Sequence, residues 1–274
     1  YTEDCLRLTG FCSSSAPPVA LTEEDHAAIY FSSGTTGFPK AILHDHRSLL
    51  CACMVEQNHH SQTRDDVFLC IPPLYHTGAK MHWFGSFLAG SKAVLLKGAA
   101  PKQIIKAASD EHCTIVWLLV PWAQDILDSI DRGEINLDEY SLDQWRLMHI
   151  GAQPVPPSLI KRWKEKFPHH KYDTNYGLSE SIGPGCVHLG VENVHKVGAI
   201  GKAGFGWKTK IVDEGLKNAG LNPETDNIDG LQAIGAVGDP TLAAISGSII
   251  SFTLFTRLLM SNPLYTGMFA FTTI

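Results

Sequence analysis

The sequence predicts an α/β fold, a largely parallel sheet with flanking helices. Three observations carry that prediction. Short apolar runs alternate with helical patterns between residues 27 and 174. Several of the helical patterns open on proline, which suits a first helical turn. The composition is that of an ordinary globular chain of 274 residues, 44% hydrophobic and 18% charged, long enough to bury a substantial core.

Taken in order, Ala27-Ala28-Ile29-Tyr30-Phe31 reads as a short buried strand, and a glycine-rich segment follows it at once. Ala41-Ile42-Leu43 reads as a second strand, and residues 48–59 suit a helix. Val67-Phe68-Leu69-Cys70 is strand-like, and residues 81–88 suit a helix. Ala93-Val94-Leu95-Leu96 is strand-like. Pro101 opens a helix whose buried face is Ile104, Ile105 and Ala108. Thr114-Ile115-Val116-Trp117 is strand-like, and Pro121 opens a helix with Trp122, Ile126 and Leu127 inside. Leu147-Met148-His149-Ile150 is strand-like. Pro156-Pro157 leads a helix with Leu159, Ile160, Trp163 and Phe167 on one face, and residues 171–174 form the next strand. In such sheets ligands sit outside the carboxyl ends of the strands.

The net charge is −6 with no basic run, which gives no reason to expect a nucleic-acid partner. Seven cysteines are scattered, with no C-x-x-C pair, and this suits a reducing, cytoplasmic setting. Cys51 and Cys53 with His59 and His60 allow two readings, a zinc site or a packed helix face. Their spacing matches no familiar finger, so the helix face is the expectation. Residues 1–20 lack a cationic start followed by an apolar run, so no secretory signal is read there. The chain does not begin with Met, so the natural N-terminus is expected upstream. Residues 1–22, with Ser13-Ser14-Ser15 and Pro17-Pro18, read as a linker.

Ser32-Ser33-Gly34-Thr35-Thr36-Gly37-Phe38-Pro39-Lys40 is the most informative string. Its glycines let backbone approach a bulky anion, its hydroxyls and N–H groups donate to phosphate oxygens, and Lys40 adds a point charge. It is not a Walker A loop: two residues, not four, separate Gly34 and Gly37, and a strand rather than a helix follows. A strand–loop–strand phosphate clamp is expected.

This string resembles the phosphate-binding signature of the adenylate-forming superfamily, which includes acyl-CoA synthetases, peptide-synthetase adenylation domains and beetle luciferases. Four further segments resemble its motifs in order. Pro73-Leu74-Tyr75-His76-Thr77-Gly78 is similar to the family's Pro-Leu-aromatic-His-x-x-Gly, with the glycine one residue early. Gly151-Ala152-Gln153-Pro154 looks like the loop bordering adenine and acyl group. Asn175-Tyr176-Gly177-Leu178-Ser179-Glu180 is similar to Tyr-Gly-x-Thr-Glu, with serine for threonine. Val197-Gly198-Ala199-Ile200-Gly201-Lys202, then Lys208-Thr209-Lys210-Ile211-Val212-Asp213, complete the series.

The resemblance implies the central portion of an adenylate-forming N-terminal domain over residues 23–214, with residues 1–22 a linker or a remnant of the upstream subdomain. It implies ATP, Mg²⁺ and coenzyme A as cofactors and a small carboxylate, fatty or otherwise apolar, as substrate. Catalysis would fall to Lys40, Thr36, Glu180 and His76. Ser33, Gly34, Thr35, Thr36, Gly37 and Lys40 would hold the phosphates. Gly151, Ala152, Gln153, Asn175, Tyr176, Gly177, Leu178, Ser179 and Glu180 would border the nucleotide, with Tyr176 on adenine and Glu180 and Thr36 on the metal. Gly177 and the Trp83 region would line the acyl pocket, unless Trp83 is plain core. Ile182-Gly183-Pro184-Gly185 and Val187-His188-Leu189-Gly190 look most like the fatty-acyl ligase branch.

The family's Thr-Gly-Asp, its later arginine and the lid lysine do not follow Glu214. Residues 215–274 are therefore expected to be an atypical tail, and the chain a truncated form with little turnover. Two alternatives stand beside the ligase: a non-catalytic ATP-binding fragment, and a membrane-associated remnant using residues 242–260. In that tail Arg257 is the only charge beyond residue 240, but the apolar stretch is marginal against the roughly 20 residues of a span.

Overall fold

The computed structural model describes residues 19–32, 39–177, 179, 182, 184–188, 197 and 201–203. Strands β1 (His26–Ser32) and β2 (Lys40–Asp45) form an antiparallel pair in which Ser32 faces Lys40. Helix α1 (His46–His59) follows directly, because Asp45 turns the chain and accepts from the Ser48 N–H at 2.7 Å. Then come β3 (Val67–Cys70), α2 (Thr77–Ala89), β4 (Lys92–Leu95), α3 (Pro101–Asp110), β5 (Ile115–Leu119) and α4 (Val120–Asp131). Beyond a short 3₁₀ turn (Leu137–Glu139) lie β6 (Leu147–Gly151), α5 (Pro157–Lys166), β7 (Lys171–Gly177), β8 (Pro184–His188) and β9 (Lys202–Ala203). The expected α/β order holds through β7. Helix α2 starts earlier than its apolar pattern because His76 caps it, and β8 and β9 had no strand signal of their own.

The large sheet has the order β4-β3-β5-β6-β7-β8-β9. Its first five strands are parallel, and β8 and β9 extend it antiparallel. Side chains alternate between its two faces with period two. Leu69, Val116, Leu118, Met148, Ile150 and Tyr172 point to one face, where α3, α4 and α5 cover them with Ile104, Ile105, Ile126, Leu127, Leu159, Ile160 and Trp163. Phe68, Cys70, Ile115, Trp117 and Leu147 point to the other, with Ala79 of α2 packed on them. Tyr30 of the hairpin joins Leu49, Cys53 and Met81 in a third cluster, so the hairpin lies against α1 and α2. Helices on both faces explain why β5 and β6 read as continuous apolar runs rather than alternating ones.

Each helix is stopped or started by local chemistry. Prolines open α3, α4 and α5, and Gly90 ends α2 in the left-handed region at φ 68°. Among the described residues no helix is long and apolar enough to cross a membrane, and residues 242–260 lie outside them.

Candidate functional site

The carboxyl ends of β3, β6 and β7 lead into three of the motifs. The chain leaves β3 into the loop carrying His76, β6 ends at Gly151, and β7 ends at Gly177. Parallel strands place these ends along one edge of the sheet. A side chain on Gly151 would meet Asn175 Oδ1 at 4.0 Å, so the third and fourth motifs are neighbours across β6 and β7. Ala152 turns the backbone outward at φ 67°, and both Ala152 and Gln153 are exposed.

The strand that follows the first motif meets the fourth motif through a hydrogen bond. His44 of β2, which is buried, donates from Nε2 to the Ser179 carbonyl at 2.8 Å. That bond ties the strand beginning at Lys40 to the turn after Tyr176. Lys40 is exposed, and it opens a strand as the loop's departure from the Walker pattern predicts. Tyr176 and Asn175 are half-buried and Gly177 is exposed. Ser33, Gly34, Thr35, Thr36 and Gly37 of the glycine-rich loop, and Leu178 and Glu180 of the fourth motif, lie outside the described residues. So does most of the fifth motif, apart from Val197, Gly201 and Lys202.

His76 is exposed at the head of α2, where its Nδ1 accepts from the Gly78 N–H at 3.2 Å. Partial desolvation, edge-on to the Trp117 ring, lowers its pKa below the ordinary histidine value. Neutral and accepting at Nδ1, it carries its proton on Nε2. The early glycine of this motif has a steric reason. A Cβ on Gly78 would stand 2.5 Å from the Trp117 ring. Trp83 is half-buried, stacked on Phe84 at 5.3 Å and tilted against Phe87, which is exposed. It belongs to an aromatic strip along α2.

The helix-face reading of Cys51 and Cys53 holds. Both are free buried thiols, and burial pushes Cys51 up to about 12 and Cys53 higher still. The histidines of that segment go elsewhere. His59 and His60, at the end of α1, enter a fully buried polar cluster with Glu56, His82 of α2, His149 of β6 and Asp173 of β7. Asp173 Oδ2 takes the His60 Nδ1–H at 2.9 Å, and Asp173 Oδ1 takes the His149 Nδ1–H at 2.6 Å. Glu56 Oε1 accepts from Asn175 Nδ2 at 3.1 Å. Burial alone would raise both carboxyls, yet the imidazoles around them hold Glu56 and Asp173 well below the usual range. No sequence signal singles out this set. His149 and Asp173 are 24 residues apart and become partners only through the β6–β7 register.

A family model described as AMP-binding enzyme matches residues 2–222. The chain is 32% identical over 206 residues to 4-coumarate–CoA ligase-like 9 of Arabidopsis thaliana, across 73% of this chain and 36% of that protein. The N-terminal domain of FACL13 from Mycobacterium tuberculosis superposes with a TM-score of 0.69 at 22% identity, over 78% of this chain and 52% of that one. The luciferase-like enzyme of the mealworm Zophobas morio gives 0.69 at 25% identity, over 79% and 51%. The five-stranded parallel sheet and its flanking helices are those of the N-terminal domains of adenylate-forming enzymes. The chain belongs to the AMP-binding enzyme family, and it spans about a third of the length of its curated plant relative.

Proposed function

We propose that this chain supplies the nucleotide-handling core of an ATP-dependent acid–thiol ligase that activates a carboxylic acid as its adenylate and passes the acyl group to coenzyme A. The observation that supports it best is the His44–Ser179 bond, which holds the strand after the phosphate loop against the adenine-side motif. In the first step a carboxylate oxygen attacks the α-phosphorus of ATP, and the bond to the bridging oxygen breaks to release pyrophosphate. In the second, the thiolate sulfur of coenzyme A attacks the acyl carbonyl and AMP leaves. Two anions must meet in the first step, so catalysis is chiefly positioning and charge neutralisation.

In this reading Ser33, Gly34, Thr35, Thr36, Gly37 and Lys40 hold the phosphates. Tyr176 stacks on adenine, with Asn175, Gly177, Leu178, Ser179 and the 151–153 turn bordering the nucleotide. Glu180 and Thr36 would hold Mg²⁺, which screens phosphate charge when bound. His76 presents its Nε2–H to the incoming carboxylate. The substrate is an apolar acid, fatty or arylalkenoic, in keeping with a relative named as a 4-coumarate–CoA ligase-like protein. The free buried thiols of Cys51, Cys53, Cys70 and Cys113, among the described residues, suit a reducing cytoplasm.

The test is carboxylate-dependent exchange of pyrophosphate into ATP over a panel of fatty and aromatic acids, with Glu180→Gln as the control. Exchange that the control abolishes is the expected result. ATP binding without exchange on any acid favours a second reading, a nucleotide-binding piece whose chemistry needs more of the enzyme, which the 36% coverage makes specific. Failure of both binding and exchange overturns the proposal.

A further inference from the structure

The side chains of Glu56, His60, His82 and His149 converge on one point beneath α1 and α2, and we propose that they bind a structural zinc ion there, with Asp173 orienting two of the imidazoles. The inference does not depend on the ligase reading, and its residues are other than those expected to hold Mg²⁺.

The spacing carries the argument. Glu56 Oε2 lies 3.4 Å from His60 Nε2 and 3.6 Å from His82 Nδ1, and His60 Nε2 lies 3.3 Å from His82 Nδ1. A tetrahedral ion with bonds of about 2.0–2.2 Å separates its ligand atoms by roughly 3.3–3.6 Å. The same distances sit beyond the usual lengths of hydrogen bonds. The ligand atoms of all four residues lie within 4.8 Å of one another.

The surrounding contacts point the donors inward. Asp173 occupies Nδ1 of both His60 and His149, at 2.9 and 2.6 Å. Those are hydrogen-bond lengths, too short for the edge of a tetrahedron, so Asp173 orients ligands rather than binding the ion. Imidazoles held this way by a carboxylate present the other nitrogen as a lone pair, the usual support of a metal-bound histidine. Asn175 steadies Glu56 chiefly through Oε1, at 3.1 Å against 3.5 Å to Oε2, which leaves Oε2 the freer oxygen for the ion.

Charge also favours an ion over a hydrogen-bonded network. Among the described residues both carboxylates have only histidines as ion-pair partners, and a dication offsets buried negative charge that would otherwise be costly. Three imidazoles and one carboxylate favour zinc over the oxygen-seeking Mg²⁺ and Ca²⁺. The ligands are fully buried, which marks a closed, structural site that fills as the chain folds. The ion would clamp α1, α2 and β6 together. Asn175 carries that clamp to β7 beside Tyr176.

The experiment is metal analysis of the full chain purified from zinc-supplemented cells, paired with folding in the presence of Co²⁺. The expected result is about one zinc per chain and a tetrahedral cobalt absorption band in the visible. His82→Gln and Glu56→Gln, each removing one ligand while keeping polar volume, lose the metal. Asp173→Asn weakens zinc retention roughly 10–100-fold against a chelator competitor. His112→Ala, which removes an exposed histidine, keeps the metal. A folded wild-type chain with no zinc and no cobalt band overturns the proposal whether or not the variants fold. Equal zinc in the wild type and the ligand variants also overturns it, by showing adventitious surface binding.

Discussion

His170 illustrates how a single side chain sets a pH limit. It is buried between Trp145 and Phe167, with ring centroids 4.5 and 4.7 Å away, and its Nδ1 accepts from Trp163 Nε1–H at 3.4 Å. Desolvation pushes its pKa down to about 3. Between that value and the unfolded value near 6.5, the unfolded chain binds a proton that the folded chain refuses. Stability is therefore complete above about pH 6.5 and falls by about 1.4 kcal/mol per unit of acidification below it, levelling off near pH 3. Thermal melts from pH 4 to 8 check this, and His170→Phe should flatten the slope. Gly78 is a second such residue. Trp117 is 3% exposed and hemmed in by His76, His82 and His149, so its ring cannot retreat from an added methyl. Gly78→Ala should cost about 1–3 kcal/mol by urea unfolding. A loss below a few tenths would mean the loop shifts freely. His170 gave no sequence signal, because burial of a polar ring is decided by which helix and strand close over it.

At the scale of elements, the junction of β2 with α1 does two things. Asp45 stops the strand and caps the helix, so Asp45→Ala should lower stability by about 1 kcal/mol in chemical denaturation. The residue before it, His44, holds the hairpin to Ser179. His44→Phe keeps the ring and removes the donor. The expected outcome is a several-fold rise in the Kd for ATP, measured by calorimetry, with little change in melting temperature; an unchanged Kd would show that this bond does not position the phosphate loop. Helices α3 and α5 were legible in advance because their apolar residues repeat at one-face spacing behind a proline. Strands β8 and β9 were not, because they gain their ladder from β7 rather than from any pattern of their own.

Across the whole molecule, long-range polar ties complement the apolar core. Arg146, just before β6, bonds both oxygens of the buried Asp66 at 2.8 and 3.0 Å and the carbonyls of His60 and Ser61. It joins segments 80 residues apart. Arg146→Met would strand the Asp66 carboxylate, and since the guanidinium is about one-third exposed the loss should be about 2 kcal/mol, short of the value for a fully buried pair. Equilibrium unfolding with Asp66→Asn as the partner of a double-mutant cycle measures the coupling.

The sequence by itself determined the order of elements through β7, the buried faces of the helices behind the prolines, and the family, through the five motifs between residues 32 and 213. Those properties reside in windows of a few residues, where periodicity and turn chemistry act locally. Only the tertiary structure decided that His44 meets Ser179, that Gly78 must yield to Trp117, and that Glu56, His60, His82 and His149 share one buried point. Each is a contact between residues distant in the chain. Strand register and helix docking set such contacts, and neither is encoded in the spacing of the residues that make them.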